Sequence, residues 1–378
     1  MTLGVAFETE EWRRFSVPHV LCLVGEHQYL LDTGSISVAV DLRLSVEVRD
    51  AEGQFSVSFD GAGSGPEVQE LAERWAAVLG ELTVPEPSVL GGRAVRLCFD
   101  ERLSACPPGV LLTSPAVAAA LTVAVLSQTG ALAGLANAEV ADLACRVLQA
   151  VRASNEDPGR FYSSVLLCLG GGAAYVEPGE EPMNVQPLLP PDSLLVALLP
   201  GAQASTRGSD CDREVRQALS SALREKENIL EGDDAGLTAL FELGPDVVEE
   251  GQVTMLYGLM RVRQMLDALL EYLGEPLADN DLLAETCDEE SAILADYFGF
   301  PAEPYRALRT RAAEAGALGS KLTWLLGGYP ASIIFAPGRR DEVCAALAKH
   351  FPDAALTAAD VDPAGLRWEG GEEDPAPL

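Results

Sequence analysis

CPPGVLLTSPAVAAAL, Cys106–Leu121, decides how this chain is read. It is a loop that opens directly into a helix of alanine, valine and leucine. A loop feeding a helix N-terminus is where backbone N–H groups and the helix dipole can hold an anion. Such loops are rich in glycine, because glycine lets the backbone approach the ligand closely. This one holds a single glycine, Gly109, and its helix carries no charge on any face. From Leu103 to Ala138 there is no charged residue at all, a length that raises the question of a membrane span. Pro107, Pro108, Pro115, Gln128, Gly130 and Asn137 interrupt the run, so it reads as a helix buried on all sides in a core.

Working outward, the 378 residues suffice for two domains, and 48% of them are hydrophobic, an ordinary globular proportion. The net charge of −32 is not ordinary. It excludes a phosphate-backbone partner, which needs clustered Lys and Arg, so no nucleic acid is expected. The acidity reads as a solubility feature. Eight cysteines are scattered without a CxxC pair and there are only three histidines, so no metal site is expected. With no signal peptide at Met1–Phe7, the cysteines read as reduced thiols of a cytoplasmic protein, with no membrane association.

The segment before the loop is β-rich. VPHVLCLVGEH is a strand candidate, SISVAVDLRLSVEVRD alternates cleanly, and QFSVSF follows. PEVQELAERWAAVLGEL has helical period with proline at its start, and RAVRLCFDE returns as a strand. After the loop and its buried helix comes NAEVADLACRVLQAVRAS, with Asn137 as the expected cap. SSVLLCLGGGAAYVEP predicts a strand pair. The proline-rich PGEEPMNVQPLLPPDS predicts a domain joint near residue 185. LLVALLPG predicts a strand leading into the helix DREVRQALSSALREKENILEG. Further helices are expected over Asp234–Phe298 and Pro304–Ala315, then a turn and strand in GSKLTWLLGGYPASIIFAP and the helix RRDEVCAALAKHF. The domains are therefore expected at 1–185 and 186–368, with a disordered tail at 369–378 and an α+β fold.

Several strings in this order resemble the GHMP kinase superfamily, and within it galactokinase. PHVLCLVGEHQYLLDT (Pro18–Thr33) is similar to the family's opening strand, with GEH at Gly25–His27 in place. Trp75–Ala76 stands at the family's distance before the phosphate loop. LLVALLPGAQASTRGSDCDREVRQAL resembles the opening of its second domain, ETCDEESAIL a helix start, and GSKLT (Gly319–Thr323) the third motif. The resemblance implies a two-domain fold: an N-terminal domain like ribosomal protein S5 domain 2 and a ferredoxin-like C-terminal α/β domain. It also implies ATP and Mg as cofactors if the chain is active. Gly109, Thr113, Ser114, Lys321 and Gly328 would be the cofactor-binding positions, and Glu26, His27 and Asp32 the substrate-binding ones.

The departures fall on the chemistry. In the loop, Leu111 and Pro115 stand where the family has glycine and serine, and Pro115 removes an N–H donor. Ala119 takes the place of the magnesium-binding glutamate. By spacing, Arg160 or a neighbour stands where the family has its catalytic aspartate, leaving Asp157 or Glu156 as substitutes for the base. Trp324, Leu325 and Leu326 replace a run of glycines in the third motif, and Tyr29 and Val20 replace an aspartate and an arginine on the sugar side. GEH reads either as ligand contacts or as a strand end whose polar groups satisfy one another. The expectation is a degenerate kinase with weak or no ATP-dependent sugar phosphorylation, binding a sugar-like small molecule or a protein. The alternative is an active, atypical sugar kinase.

Overall fold

The computed structural model describes residues 13–369 except 32, 61–64, 83–91, 105, 107, 153–160, 178–183, 189–190, 192, 199–206, 227–228, 230–233, 274–279, 299–301 and 326–328. The expected tail at 369–378 lies outside them but for Glu369. The chain forms two compact units. One comprises 1–21, 37–173 and 360–378; the other comprises 22–36 and 174–359. The units therefore change over at 173/174 instead of the joint read near 185, and the second unit also takes a short piece from the N-terminal region. The reason is apolar. Tyr29, Leu30 and Leu31, in a 3-10 turn just after GEH, are buried in the second unit's core with Leu259, Leu256 and Phe298.

In the first unit, strand β1 (Arg13–Val24) is followed by β2 (Ser35–Asp50), β3 (Ser56–Asp60), helix α1 (Pro66–Leu82) and β4 (Arg93–Phe99). With β11 (Arg367–Trp368) these strands form a sheet in the order β11-β1-β2-β4-β3, antiparallel at β1–β11 and β2–β4 and parallel at β3–β4. The alternation in β2 does what it predicts: from Asp41 to Val48, inward residues are buried and outward ones half-exposed. Helices α2 (Pro108–Leu112), α3 (Pro115–Thr129), α4 (Asn137–Arg152) and α5 (Tyr162–Gly170) complete the unit.

Helix α3 is the charge-free helix, and every residue from Ala116 to Ser127 is buried. Small side chains let α4 and α5 approach it closely. Fifteen residues, ended by Gly130 in the left-handed conformation (φ 70°), make a core helix. No helix among the described residues is long and apolar enough to cross a membrane. Asn137 is the first residue of α4 and not the one before it. Glu139 turns back to accept the Ala136 N–H at 2.8 Å, which satisfies an otherwise open donor. The expected strand pair at 163–178 is a correction. Tyr162–Gly170 is α5, and only Ala173–Glu177 is a strand, β5. A continuous apolar run buried on all sides carries no period to separate helix from strand.

The second unit holds β5, β6 (Asn184–Leu188), β7 (Leu194–Leu198), α6 (Arg207–Glu225), α7 (Asp234–Phe241), α8 (Glu250–Leu273), α9 (Asn280–Tyr297), α10 (Ala302–Glu314), β8 (Gly319–Leu325), β9 (Tyr329–Phe335), α11 (Arg340–His350) and β10 (Ala355–Ala359). Strands β7 to β10 form an antiparallel sheet in the order β10-β7-β9-β8. That split order, with helices between β7 and β8 and between β9 and β10, is the ferredoxin-like arrangement. All described cysteines are free thiols. Burial pushes the Cys106 thiol up to about 12 and those of Cys145, Cys168 and Cys287 further, so they stay protonated and inert.

Candidate functional site

The loop that opened the sequence reading is not an open turn. Residues 108–112 wind into the short helix α2, then Thr113 and Ser114 lead into α3. Trp75 of α1 is fully buried and its indole N–H donates to the Leu112 carbonyl at 2.9 Å, fixing the end of α2. Leu111, in the place of a family glycine, is 1% exposed. Its side chain is anchored in the core, where a glycine would leave space.

The loop's polar groups are spent internally. The Thr113 hydroxyl donates to the Gly109 carbonyl at 2.9 Å. Ser114 is completely buried and caps α3, its Oγ accepting the Val117 N–H at 3.4 Å, with Pro115 in the first turn. Ala119, where a metal-binding acid is wanted, is also completely buried. Against Gly109 lies a carboxylate: a Cβ at that position would sit 2.7 Å from Oε1 of Glu67, near the start of α1. The loop's glycine therefore faces a negative side chain of the same protein. To a magnesium–nucleotide the described residues offer hydroxyls already engaged, no acid on α3, and the Glu67 carboxylate beside Gly109.

In the second unit, Lys321 on β8 is wholly buried and pairs with Glu290 of α9, Nζ to Oε2 at 2.9 Å, with both side chains at most 1% exposed. Burial works to lower the lysine's pKa, but Glu290 and then Glu26 outweigh it and carry the ammonium above its ordinary value. Glu290 also accepts the Gly25 N–H at 3.1 and 3.2 Å and the Glu26 N–H at 3.4 Å. Gly25 has φ of +87°, and a Cβ there would lie 3.0 Å from the Gly34 carbonyl, so the turn needs glycine. The Glu26 carboxylate accepts the Thr323 hydroxyl at 3.0 Å. His27 is 3% exposed and stacks on Phe298, centroids 5.2 Å apart and planes 9° from parallel.

GEH and GSKLT, far apart in sequence, thus meet around one buried ion pair. Of the positions expected to contact ligands, Gly109, Thr113 and Ser114 come together in the first unit, and Glu26, His27 and Lys321 come together in the second. Asp157, Glu156, Asp32 and Gly328 lie outside the described residues, as do the side chains of Trp324, Leu325 and Leu326. Two residues were missed by sequence reasoning. Glu290 had a signal: it is an acid among Cys287, Ser291 and Leu294, on the buried stripe of α9. Glu67 had none, since it reads as an ordinary acidic residue in a helix's first turn. Among the described residues no group of His, Cys, Asp and Glu is arranged to hold a metal ion.

The fold is that of the two-domain GHMP kinases. Solved structures similar to the chain include galactokinase of Lactococcus lactis in complex with galactose, at a TM-score of 0.74 and 14% identity over 95% of both chains. Homoserine kinase of Cytophaga hutchinsonii gives 0.56 at 16% identity, covering 97% of this chain and all of that one. Mevalonate kinase of Methanococcus jannaschii gives 0.59 at 11%, covering 94% of this chain and all of that one. No protein-family model matches the chain, and no curated protein matches it.

Proposed function

We propose that this protein is a galactokinase-like member of the GHMP fold that has lost ATP-dependent phosphoryl transfer and acts by binding a sugar-like small molecule or a protein partner. The observation that carries this is the state of the phosphate loop. Thr113 and Ser114 are turned into the protein, and Glu67 lies on Gly109 where a phosphate would approach. An anion arriving there meets a like charge and finds the hydroxyls taken. Phosphoryl transfer depends on metal and donors neutralising the transferred group, and neither is supplied by this loop. The similarity in shape to a galactose-bound galactokinase supports a sugar-like ligand.

The same glutamate favours the second reading. Glu67 is exposed, and a carboxylate at the loop mouth is what an atypical kinase would use to hold magnesium in place of the acid missing at Ala119. Calorimetric titration with MgATP, with and without galactose, separates the two. The expected result is no saturable heat at millimolar nucleotide, and a modest gain in nucleotide affinity, up to about tenfold, in Glu67→Gln as the like charge is removed. Saturable micromolar binding by the wild type, abolished in Glu67→Gln, would establish the atypical kinase instead.

A further inference from the structure

In the second unit, α9, α10, β8 and β9 border a half-open cavity of about 200 Å³, apart from the phosphate loop in sequence and in unit. It is smaller than the ~300–1,000 Å³ pockets that take drug-sized ligands, so it suits one small metabolite. Leu322 and Ser332, direct cross-strand partners on β8 and β9, line it together with Ala295 of α9. Two of its hydroxyls are committed. Ser291 donates to the Cys287 carbonyl at 2.7 Å and accepts the Leu322 N–H at 2.8 Å, and Ser320 bonds to Asp288 at 3.2 Å.

Ser332 is different. The residue is 3% exposed and lines the cavity, and its hydroxyl is left to the cavity without a hydrogen bond to another described residue. A hydroxyl that faces a cavity with both its donor and its lone pairs uncommitted can hydrogen-bond a ligand placed there.

Charges of both signs line the same cavity. Arg309 gives one Nη2 contact to Asp288, at 2.9 Å, which leaves the Nε and Nη1 donors of its fork without an acceptor among the described residues. Asp296 also lines the cavity, bonded at 3.1 Å to Arg306, which lines it too, and both side chains are otherwise open to solvent. A planar guanidinium with free donors is a carboxylate receptor. A phosphate dianion would fit it too, but would lie beside the Asp296 carboxylate on a chain of net charge −32. A molecule with a carboxylate at one end and an ammonium at the other meets neither penalty.

We propose that this cavity binds a small free α-amino acid. Its carboxylate is received by Arg309 and the Ser332 hydroxyl, its ammonium by Asp296, and its apolar side chain by Leu322 and Ala295. The site is independent of the phosphate loop, so its occupancy does not depend on whether the protein is a kinase.

The test is calorimetry on the full chain with L-alanine and L-leucine, and with two analogues that each lack one charge: 4-methylpentanoate and 3-methylbutylamine. One or both amino acids should bind saturably, and each single-charge analogue should bind at least about tenfold more weakly than L-leucine. Arg309→Met, on an exposed side chain, should weaken amino-acid binding by a similar factor while leaving the melting temperature unchanged. Ser332→Ala should weaken it less, with melting temperature equal to or above wild type. Absence of saturable heat with both amino acids overturns the proposal. So does binding of 4-methylpentanoate as tight as that of L-leucine, or amino-acid binding unaffected by Arg309→Met.

Discussion

Glu290→Ala is expected to destabilise the second unit by about 3–5 kcal/mol in denaturant unfolding, enough to cost a marginally stable protein most of its margin. The substitution leaves the Lys321 ammonium fully buried with only the weaker, half-buried Glu26 carboxylate acting on it, and strips the acceptor from the Gly25 and Glu26 N–H groups. Lys321→Met should cost less, because the Glu290 carboxylate keeps those backbone donors and loses only the ammonium. Combining Lys321→Met with Glu290→Gln should cost less than the two single losses added, since neither residue is then stranded as a buried charge. Alkali reads the same pair. Lys321 titrates above its ordinary 10.5 in the folded protein, so its contribution is fully present below that pH. It is lost as the pH climbs from there through the raised folded value. An additive double variant, or a Glu290→Ala protein as stable as wild type, would show that the pair contributes little.

That pair also marks where sequence reasoning stops. Motif resemblance puts Lys321 among nucleotide contacts because GSKLT aligns with a phosphate-side turn. Three dimensions place it 0% exposed beneath GEH, held by a helix residue 31 positions upstream. What local pattern encodes was legible: the 16-residue β2 with its alternation, and the charge-free α3 with proline at its start and glycine after its end. Each of those is dictated by residues a few positions apart. The ferredoxin-like second sheet came from the family resemblance, since β10 and one of β8 and β9 were not read from local pattern. Helix α5 was misread because Val165 to Leu169 are buried on every side and a uniformly apolar segment has no period.

The site depends on non-local encounters. Leu111 and Ala119 announce from sequence that the loop has changed, but nothing announces that Glu67, more than forty residues earlier, comes to rest on Gly109. The loop's departures from the family pattern were legible as a list of substitutions. Its physical form, hydroxyls bonded inward with a carboxylate facing the glycine, required the fold.

A second large effect is expected in acid, from a residue given no role at the site. His19, on β1 in the first unit, is 1% exposed, and neither ring nitrogen has a hydrogen-bond partner among the described residues. Burial pulls its pKa down to about 4, against a smaller upward pull from Asp100. The folded protein therefore holds the ring neutral, while the unfolded chain protonates it at the ordinary value near 6.5. Above about pH 6.5 this difference costs nothing. Between about 6.5 and 4 the unfolded state gains a proton that the fold refuses, and stability falls by about 1.4 kcal/mol per pH unit, about 3 kcal/mol in all. The background works the other way: protonating carboxylates on a chain of charge −32 relieves self-repulsion. The measurement is thus a comparison between variants. His19→Leu removes both the unpartnered ring nitrogens and the titration, so it should match or exceed wild type at pH 7. At pH 5 its advantage should widen by about 2 kcal/mol. Parallel stability curves for the two proteins across that window would mean that the folded protein lets His19 take up its proton, through an opening of β1 that the buried ring does not suggest.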